Sequence, residues 1–264
     1  LVDLILASLL PVGAISWLYY ADRVAQLPLG IVGIALGTAL LPRLSTAEAN
    51  EQRTDFIKTL DEAIVFAGFF VVPAMIGLII LAGPIIQGLF VYGAFATDDA
   101  VMAAMALSAY AVGLPGFVLV KILQPAFYAV GQPGTVLKIS IMTIVVNITG
   151  SLILMPLLGH VGLALATSLS GLASGGMMVV LLRRLSRLGG GCISMMGRIF
   201  LATMMMSIFL ILFANFGSGL KHFVPAALWL AVQVIFGAAA FFAAAFFFKA
   251  IPAGLAYRWR HRNT

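Results

Sequence analysis

Apolar residues run through this chain in long unbroken stretches, separated at intervals by short polar or glycine- and proline-bearing punctuation. Eight apolar segments can be marked, at 1–11, 15–42, 63–90, 101–128, 134–156, 160–182, 198–216 and 223–251. Between them stand Pro11 and Gly13, Pro42, Gly93, Gly131 with Pro133 and Gly134, Gly159, Gly189–Gly191 and Gly217–Gly219, residue types that interrupt helices and make turns. Runs such as Ile199–Phe213 and Ala238–Phe248 lack the alternating polarity of a membrane β-strand, so the segments read as helices. A hydrocarbon layer about 30 Å thick takes roughly 20 residues of helix. The first segment supplies about half of that, and the chain is expected to open inside a helix that has lost its start. It carries neither the basic stretch nor the cleavage site of a signal peptide. The expected fold class is an all-α polytopic membrane protein with about eight transmembrane helices.

Composition agrees with this pattern. Of 264 residues, 62% are hydrophobic and 9% charged, with a mean hydropathy of +1.13. A soluble domain runs nearer 45–50% apolar and about 25% charged, so a soluble enzyme, a nucleic-acid module and a disordered tail are all excluded. No nucleic-acid partner is expected. The single cysteine, Cys192, rules out an internal disulfide or a cysteine metal cluster.

The net charge of +6 matters mainly through its placement. If alternate loops share a side, Arg43, Arg53, Lys58, Lys138, Arg183, Arg184, Arg187, Arg198, Arg258, Arg260 and Arg262 lie together, with only Arg23 and Lys221 opposite. Asp98 and Asp99 belong to the opposite side. Cytoplasmic loops are the ones enriched in Lys and Arg, so the C-terminus and the start of the first segment are both expected in the cytoplasm. The one sizeable polar stretch, 43–62, carries Ser45 and Glu48 in capping-box spacing. Phe56, Ile57, Leu60 and Ile64 then share a helical face. A cytoplasmic helix lying partly on the membrane surface is expected there, leading into the third segment.

Catalytic signatures are absent: no H-E-x-x-H, no C-x-x-C, no phosphate-cradling glycine loop and no G-x-S-x-G. His160, His222 and His261 stand at segment edges and in the tail. Candidate chemistry therefore rests on polar groups inside apolar runs, where an ionised side chain costs about 2.5–3.5 kcal/mol and tends to face a cavity or a partner. Asp3, Asp22, Arg23 and Lys121 are the charged members, with Gln26, Gln87, Gln124 and Asn147 as neutral ones. Arg23 is either an interfacial anchor among Tyr19 and Tyr20 or a cation facing a water-filled cavity, placed to bind an anionic group. Neighbours in sequence do not share a helix face, so Asp22 need not neutralise it. Lys121, one turn before Gln124 and Pro125, either snorkels or lines the same cavity. Gly30, Gly33 and Gly37 form a small-residue stripe suited to close helix packing. The Met204–Met206 run and the Phe- and Ala-rich last segment suit lipid, helix packing or an apolar groove for a lipid tail.

At residues 19–45 the sequence reads YYADRVAQLPLGIVGIALGTALLPRLS. This stretch closely resembles the C-terminal half of the MurJ/MviN family, lipid II flippases of bacterial cell-wall synthesis. The likeness continues in GPIIQGLFVYGAF (83–95), YAVGLPGFVLVKILQPAFYAVGQPGTVLKI (110–139) and GHVGLALATSLSG (159–171). It covers at least residues 3–182; beyond about 190 only hydropathy and length agree. Family members have fourteen helices in two lobes around a central cavity with alternating access, and the eight segments here resemble helices seven to fourteen.

The resemblance implies a C-terminal transporter lobe over 1–182, a cytoplasmic linker at 183–197, a last helix pair at 198–251 resembling a lipid-tail groove, and a basic cytoplasmic tail at 252–264. It implies a place in the bacterial inner membrane. It also implies a substrate, undecaprenyl-pyrophosphate-linked disaccharide-pentapeptide, with membrane lipids and the missing N-terminal lobe as partners. Arg23 matches the cavity arginine that pairs with the pyrophosphate, while Asp22, Lys121 and Gln124 are the accompanying candidates for substrate contact. The family's other cavity arginines belong to the first lobe. Some members bind sodium, and the matching positions here are Asp3, Asn147 and Thr167. Residue 151 is Ser where Asp or Asn is often found. No other cofactor is expected. Two other classes compete: a related exporter (a polyprenyl-oligosaccharide flippase or a multidrug/cation antiporter), and a membrane glycosyl or acyl transferase. A cationic-drug carrier would line its cavity with carboxylates, where here stands Arg23. A transferase would need clustered acidic or histidine groups, and Asp98–Asp99 has no histidine near it along the chain.

Overall fold

The computed structural model describes residues 2–37, 40–93, 95–185, 191–216 and 225–252. These form α1 (Val2–Ala7), α2 (Ala14–Gly37), α3 (Leu40–Ala49), α4 (Arg53–Ile80), α5 (Ala82–Phe90), α6 (Thr97–Ala129), α7 (Pro133–Leu158), α8 (His160–Arg184), α9 (Gly191–Phe216) and α10 (Ala226–Phe247). The elements described are all helical. Six, α4 and α6 to α10, are long and apolar enough to cross a membrane. The 24 residues of α2 reach about 36 Å at 1.5 Å per residue, but they include Asp22, Arg23 and Gln26. The six residues of α1 complete a set that roughly matches the eight expected segments.

The helix ends have local causes. Pro84 has no N–H to return to the carbonyl of Ile80, and its ring crowds that carbonyl. The expected 63–90 segment accordingly splits at Leu81 into α4 and α5. At the end of α6, Gly131 adopts φ +70°; its N–H reaches the Tyr128 carbonyl at 3.1 Å and that of Gln132 reaches Phe127 at 2.8 Å. This closes the helix in a Schellman motif, and Pro133 starts α7 with its φ already helical.

The polar stretch 43–62 departs from expectation. Ser45 lies inside α3 rather than capping a helix. α3 stops at Ala49, where Glu51 takes φ 56° and Gln52 N–H bonds the Ala47 carbonyl at 2.8 Å. Phe56, Leu60 and Ile64 do share a face of α4, but that face is buried in the protein core rather than laid on a membrane surface.

Two apolar clusters fill the two ends of the bundle. One joins Leu44, Phe56, Leu60, Phe127, Ile139 and Leu182, with residues from α9 and α10. The other joins Leu18, Ala21, Ile86, Ala103, Leu107 and Leu163. Arg43, Arg53, Lys58, Lys138, Arg183, Arg184 and Arg198 are exposed around the first cluster, and Asp98 and Asp99 flank the second. Arg198 Nη1 also reaches the Lys249 carbonyl at 3.5 Å, tying the start of α9 to the end of α10. This is the separation of basic and acidic ends that the loop charges imply. Residues 186–190 of the expected linker, the tail from 253, and Arg187, Lys221, His222, Arg258, Arg260, His261 and Arg262 lie outside the described residues.

α6 and α8 form the most extensive helix pair. A Cβ on Gly116 would lie 2.4 Å from the Leu172 nitrogen, and one on Gly175 would lie 2.9 Å from the Gly116 carbonyl oxygen. These glycines let the two backbones touch. α7 packs chiefly on α8 and leaves Leu137, Ile141, Val145, Leu152 and Leu157 exposed, an apolar surface appropriate to lipid.

Candidate functional site

α2 carries a polar stripe on its exposed side. Ser16, Tyr19, Arg23, Gln26, Leu27 and Gly30 are all exposed and recur at three- and four-residue steps, the spacing of one helix face. Val24 and Ala25 lie on the buried side. Gln26 Nε2 donates to Asp22 Oδ2 at 2.5 Å, one helical turn apart. The Asp22 carboxylate is thus occupied along its own helix. Arg23 places its guanidinium carbon 5.0 Å from the centre of the Tyr19 ring, a cation–π contact that steadies the cation without neutralising it. Tyr19 leans on Tyr20, whose ring meets Phe90 at 4.6 Å and Phe95 at 5.2 Å. Among the described residues Arg23 makes no ion pair.

Lys121 belongs to a different part of the surface. With Gln124, Pro125 and Tyr128 it forms one face of α6, opposite Gly30, Gly33 and Leu36 of α2, around a cavity of about 520 Å³. Gln124 Nε2 donates to the Tyr128 hydroxyl at 2.6 Å. A Cβ at Gly33 would sit 3.3 Å from Lys121 Nζ, whereas one at Gly30 would meet open space. Gly30 and Gly33 therefore make room beside a lysine instead of bringing two helices together. The close-packing role expected of that stripe falls to the glycines of α6 and α8. The surroundings of Gly37, the third glycine of that stripe, lie outside the described part of the structure.

A third group forms where α1 meets α7 and α8. Thr167 Oγ1 lies 3.3 Å from Asp3 Oδ2 and 3.1 Å from the Leu163 carbonyl, so its one proton serves one of the two. Asn147 Nδ2 donates to Thr167 Oγ1 at 3.2 Å, and Ser151 Oγ approaches Asp3 Oδ1 at 3.5 Å. Asp3, Asn147 and Thr167 are thus brought together across 164 residues of sequence, and Ser151 joins them. One carboxylate with neutral oxygens suits a hard cation of low charge. Among the described residues no trio of His, Cys, Asp or Glu could hold a metal. Ser168, beside Thr167, is fully buried and donates to the Ala109 carbonyl of α6 at 2.7 Å. The sequence offered no cue to that link.

The acidic pair near residue 98 does have a histidine within one ring's width. Trp17 Nε1 donates to Asp99 Oδ1 at 2.8 Å, and the Trp17 ring meets His160 edge-on at 5.0 Å. His160 Nε2 lies 3.0 Å from the Met102 carbonyl. The ends of α2, α6 and α8 are fastened by this cluster. In the last helix pair Phe213 stacks on Trp229 at 5.6 Å and on Phe236 at 5.5 Å, so those aromatics join α9 to α10. Phe200, Met204, Met205 and Phe242 are exposed.

Comparison with known proteins gives a consistent match. The family described as "Lipid II flippase MurJ" matches residues 1–258. The "Probable lipid II flippase MurJ" of Vibrio cholerae serotype O1 is 41% identical over 170 residues, covering 64% of this chain and 32% of that protein. The "Lipid II flippase MurJ" of Burkholderia cenocepacia is 38% identical over 161 residues, covering 61% of this chain and 31% of that protein. A solved structure, "Lipid II flippase MurJ, inward closed conformation", superposes with TM-score 0.76 at 26% identity, covering 94% of this chain and 50% of that one. The chain spans about a third of the length of the curated relatives it matches.

Proposed function

Because the chain belongs to the lipid II flippase MurJ family, we propose that it acts as the second lobe of a lipid flippase. Its substrate would be undecaprenyl-pyrophosphate-linked disaccharide-pentapeptide, moved across the bacterial inner membrane by alternating access. The family match over residues 1–258 carries the reading. A transporter, not an enzyme, is also what the absence of catalytic signatures in the sequence favours. Coverage of half of the solved relative supports an N-terminal lobe as the missing partner. Cytoplasmic loops are the ones enriched in Lys and Arg, and the basic residues at one end of the bundle support a cytoplasmic location for that end and for the C-terminus.

The chemistry required is transient binding of a diphosphate in a low-dielectric setting. A guanidinium binds phosphate oxygens through two parallel N–H donors, with charge assistance. Arg23 has its donors uncommitted because Asp22 is engaged by Gln26 and Tyr19 offers only a ring face. The polar face of α2 would line the route, and the exposed Phe and Met side chains of α9 and α10 would accompany the lipid tail. Sodium bound by Asp3, Asn147 and Thr167 would supply a charge that ties α1 to α7 and α8. The Ser151 and Thr167 hydroxyls stand beside the Asp3 carboxylate, and the Asn147 amide donates to Thr167.

In the full-length protein, Arg23→Ala is expected to abolish growth support in cells depleted of their own flippase. Normal growth, with the variant present in the membrane at wild-type level, would refute the role of Arg23 in anion binding.

A further inference from the structure

The cavity between α2 and α6 is not part of the Arg23 position. Lys121 Nζ sits level with Gly33, ten residues along α2 from Arg23, or roughly 15 Å of helix axis. One diphosphate held by Arg23 does not also fill this cavity. Its volume, about 520 Å³, lies within the usual 300–1,000 Å³ of small-ligand sites. Its polar groups converge from a single face of α6: the Lys121 ammonium, the Gln124 amide and the Tyr128 hydroxyl. Among the described residues Lys121 has no carboxylate partner. Pro125 cannot donate to the carbonyl of Lys121, which leaves a polar backbone group at the same turn. The opposite wall is glycine at Gly30 and Gly33: Gly33 stands directly against the ammonium, and the wall at Gly30 is open.

We propose that this cavity is a second oxyanion subsite, which takes an anionic group of the transported head group remote from its diphosphate. In a lipid-linked peptide that group is a carboxylate of the peptide arm; a second phosphate shares the same chemistry. Lys121 makes the charge-assisted bond, Gln124 and Tyr128 orient the oxyanion, and Gly33 sets where the ammonium stands. The inference rests on the flippase reading for the identity of its ligand.

Binding to the full-length protein in neutral-lipid nanodiscs separates the sources. The probes are undecaprenyl pyrophosphate, which has no peptide, and the complete lipid-linked disaccharide-pentapeptide. Lys121→Gln is expected to weaken the complete lipid by about tenfold, the loss of one charge-assisted bond, and to leave undecaprenyl pyrophosphate unchanged. Gly33→Ala, which crowds Lys121 Nζ, weakens the complete lipid in the same selective way. Equal weakening of both probes would mean that Lys121 acts on the diphosphate itself, and overturns a subsite separate from it. Lys138→Gln, which removes the same charge from an exposed position on α7, alters neither. Unchanged binding of both probes by Lys121→Gln overturns the subsite. Arg23→Ala in the same assay tests the parent reading separately: retention of undecaprenyl pyrophosphate binding there, with Lys121→Gln still damaging, refutes the Arg23 assignment and leaves the subsite standing.

Discussion

At the scale of single residues, glycine has two opposite uses here. Gly116 is surrounded by the backbone of α8, and its added Cβ would lie 2.5 Å from the Gly171 carbonyl carbon. A backbone cannot swing aside as a flexible side chain can. Gly116→Ala is expected to destabilise the full-length protein by about 1–3 kcal/mol, the usual cost of overpacking, read as a lower melting temperature in detergent. Gly77→Ala, in open space on α4, should leave the melting temperature unchanged or slightly raised, as helix propensity favours alanine. Gly30, Gly33 and Gly116 look alike in the sequence, each a glycine in an apolar helix. What separates them is the partner across the helix, Lys121 in one case and Gly171 in another, and a one-dimensional spacing holds no record of that.

At the scale of elements, most boundaries were legible because they are written in local chemistry. The stops at Gly131 and Gly159 follow from glycine's access to positive φ, and the start of α7 follows from Pro133. The exceptions share a cause. α3 is followed by Glu51 and α10 by Lys249, both at positive φ. An L-residue with a side chain enters that region at a cost of roughly 1–2 kcal/mol, which only surrounding packing offsets. No turn residue therefore marked either stop. The same packing draws the Phe56–Leu60–Ile64 face of α4 into the core instead of leaving it for a membrane surface. Helix orientation can be checked at this level. In a full-length background freed of Cys192 and any other cysteine, a cysteine at Gln132, in the α6–α7 turn, should react with a membrane-impermeant maleimide only from the cytoplasmic side. One at Tyr92, between α5 and α6, should react only from outside. Reversed labelling would invert the assigned topology.

At the scale of the whole molecule, the Asp3 group joins the first helix to α7 and α8, while Ser168 continues the connection from α8 into α6 and so toward α2 and its arginine. A cation at Asp3 would add bonds that exist only in the folded arrangement, and a ligand that binds the native state alone raises its stability. Sodium chloride is expected to raise the melting temperature of the full-length protein above that in equimolar choline chloride, and Asp3→Asn to remove the difference. An equal response of wild type and variant would exclude Asp3 as a sodium ligand.

The sequence by itself determined the membrane class, the helical architecture, the approximate order of segments and the charge asymmetry between the two ends. These depend on hydropathy summed over about 20 residues and on where cations fall between such runs, quantities that need no knowledge of neighbours. It also identified the intramembrane polar residues, because an ionised group is conspicuous in an apolar run. Only the tertiary structure decided what those groups face: Arg23 over Tyr19 with Asp22 turned to Gln26, Lys121 in a cavity opened by two glycines, Asp3 beside Thr167, and His160 one ring away from Asp99. The contacts of Arg23 and Asp22 lie within α2 at four-residue spacing, whereas the other three arrangements depend on side chains or backbone from separate helices meeting within about 3–6 Å. That proximity is set by how the helices pack against one another, and their pairing is not contained in the pattern of any one of them.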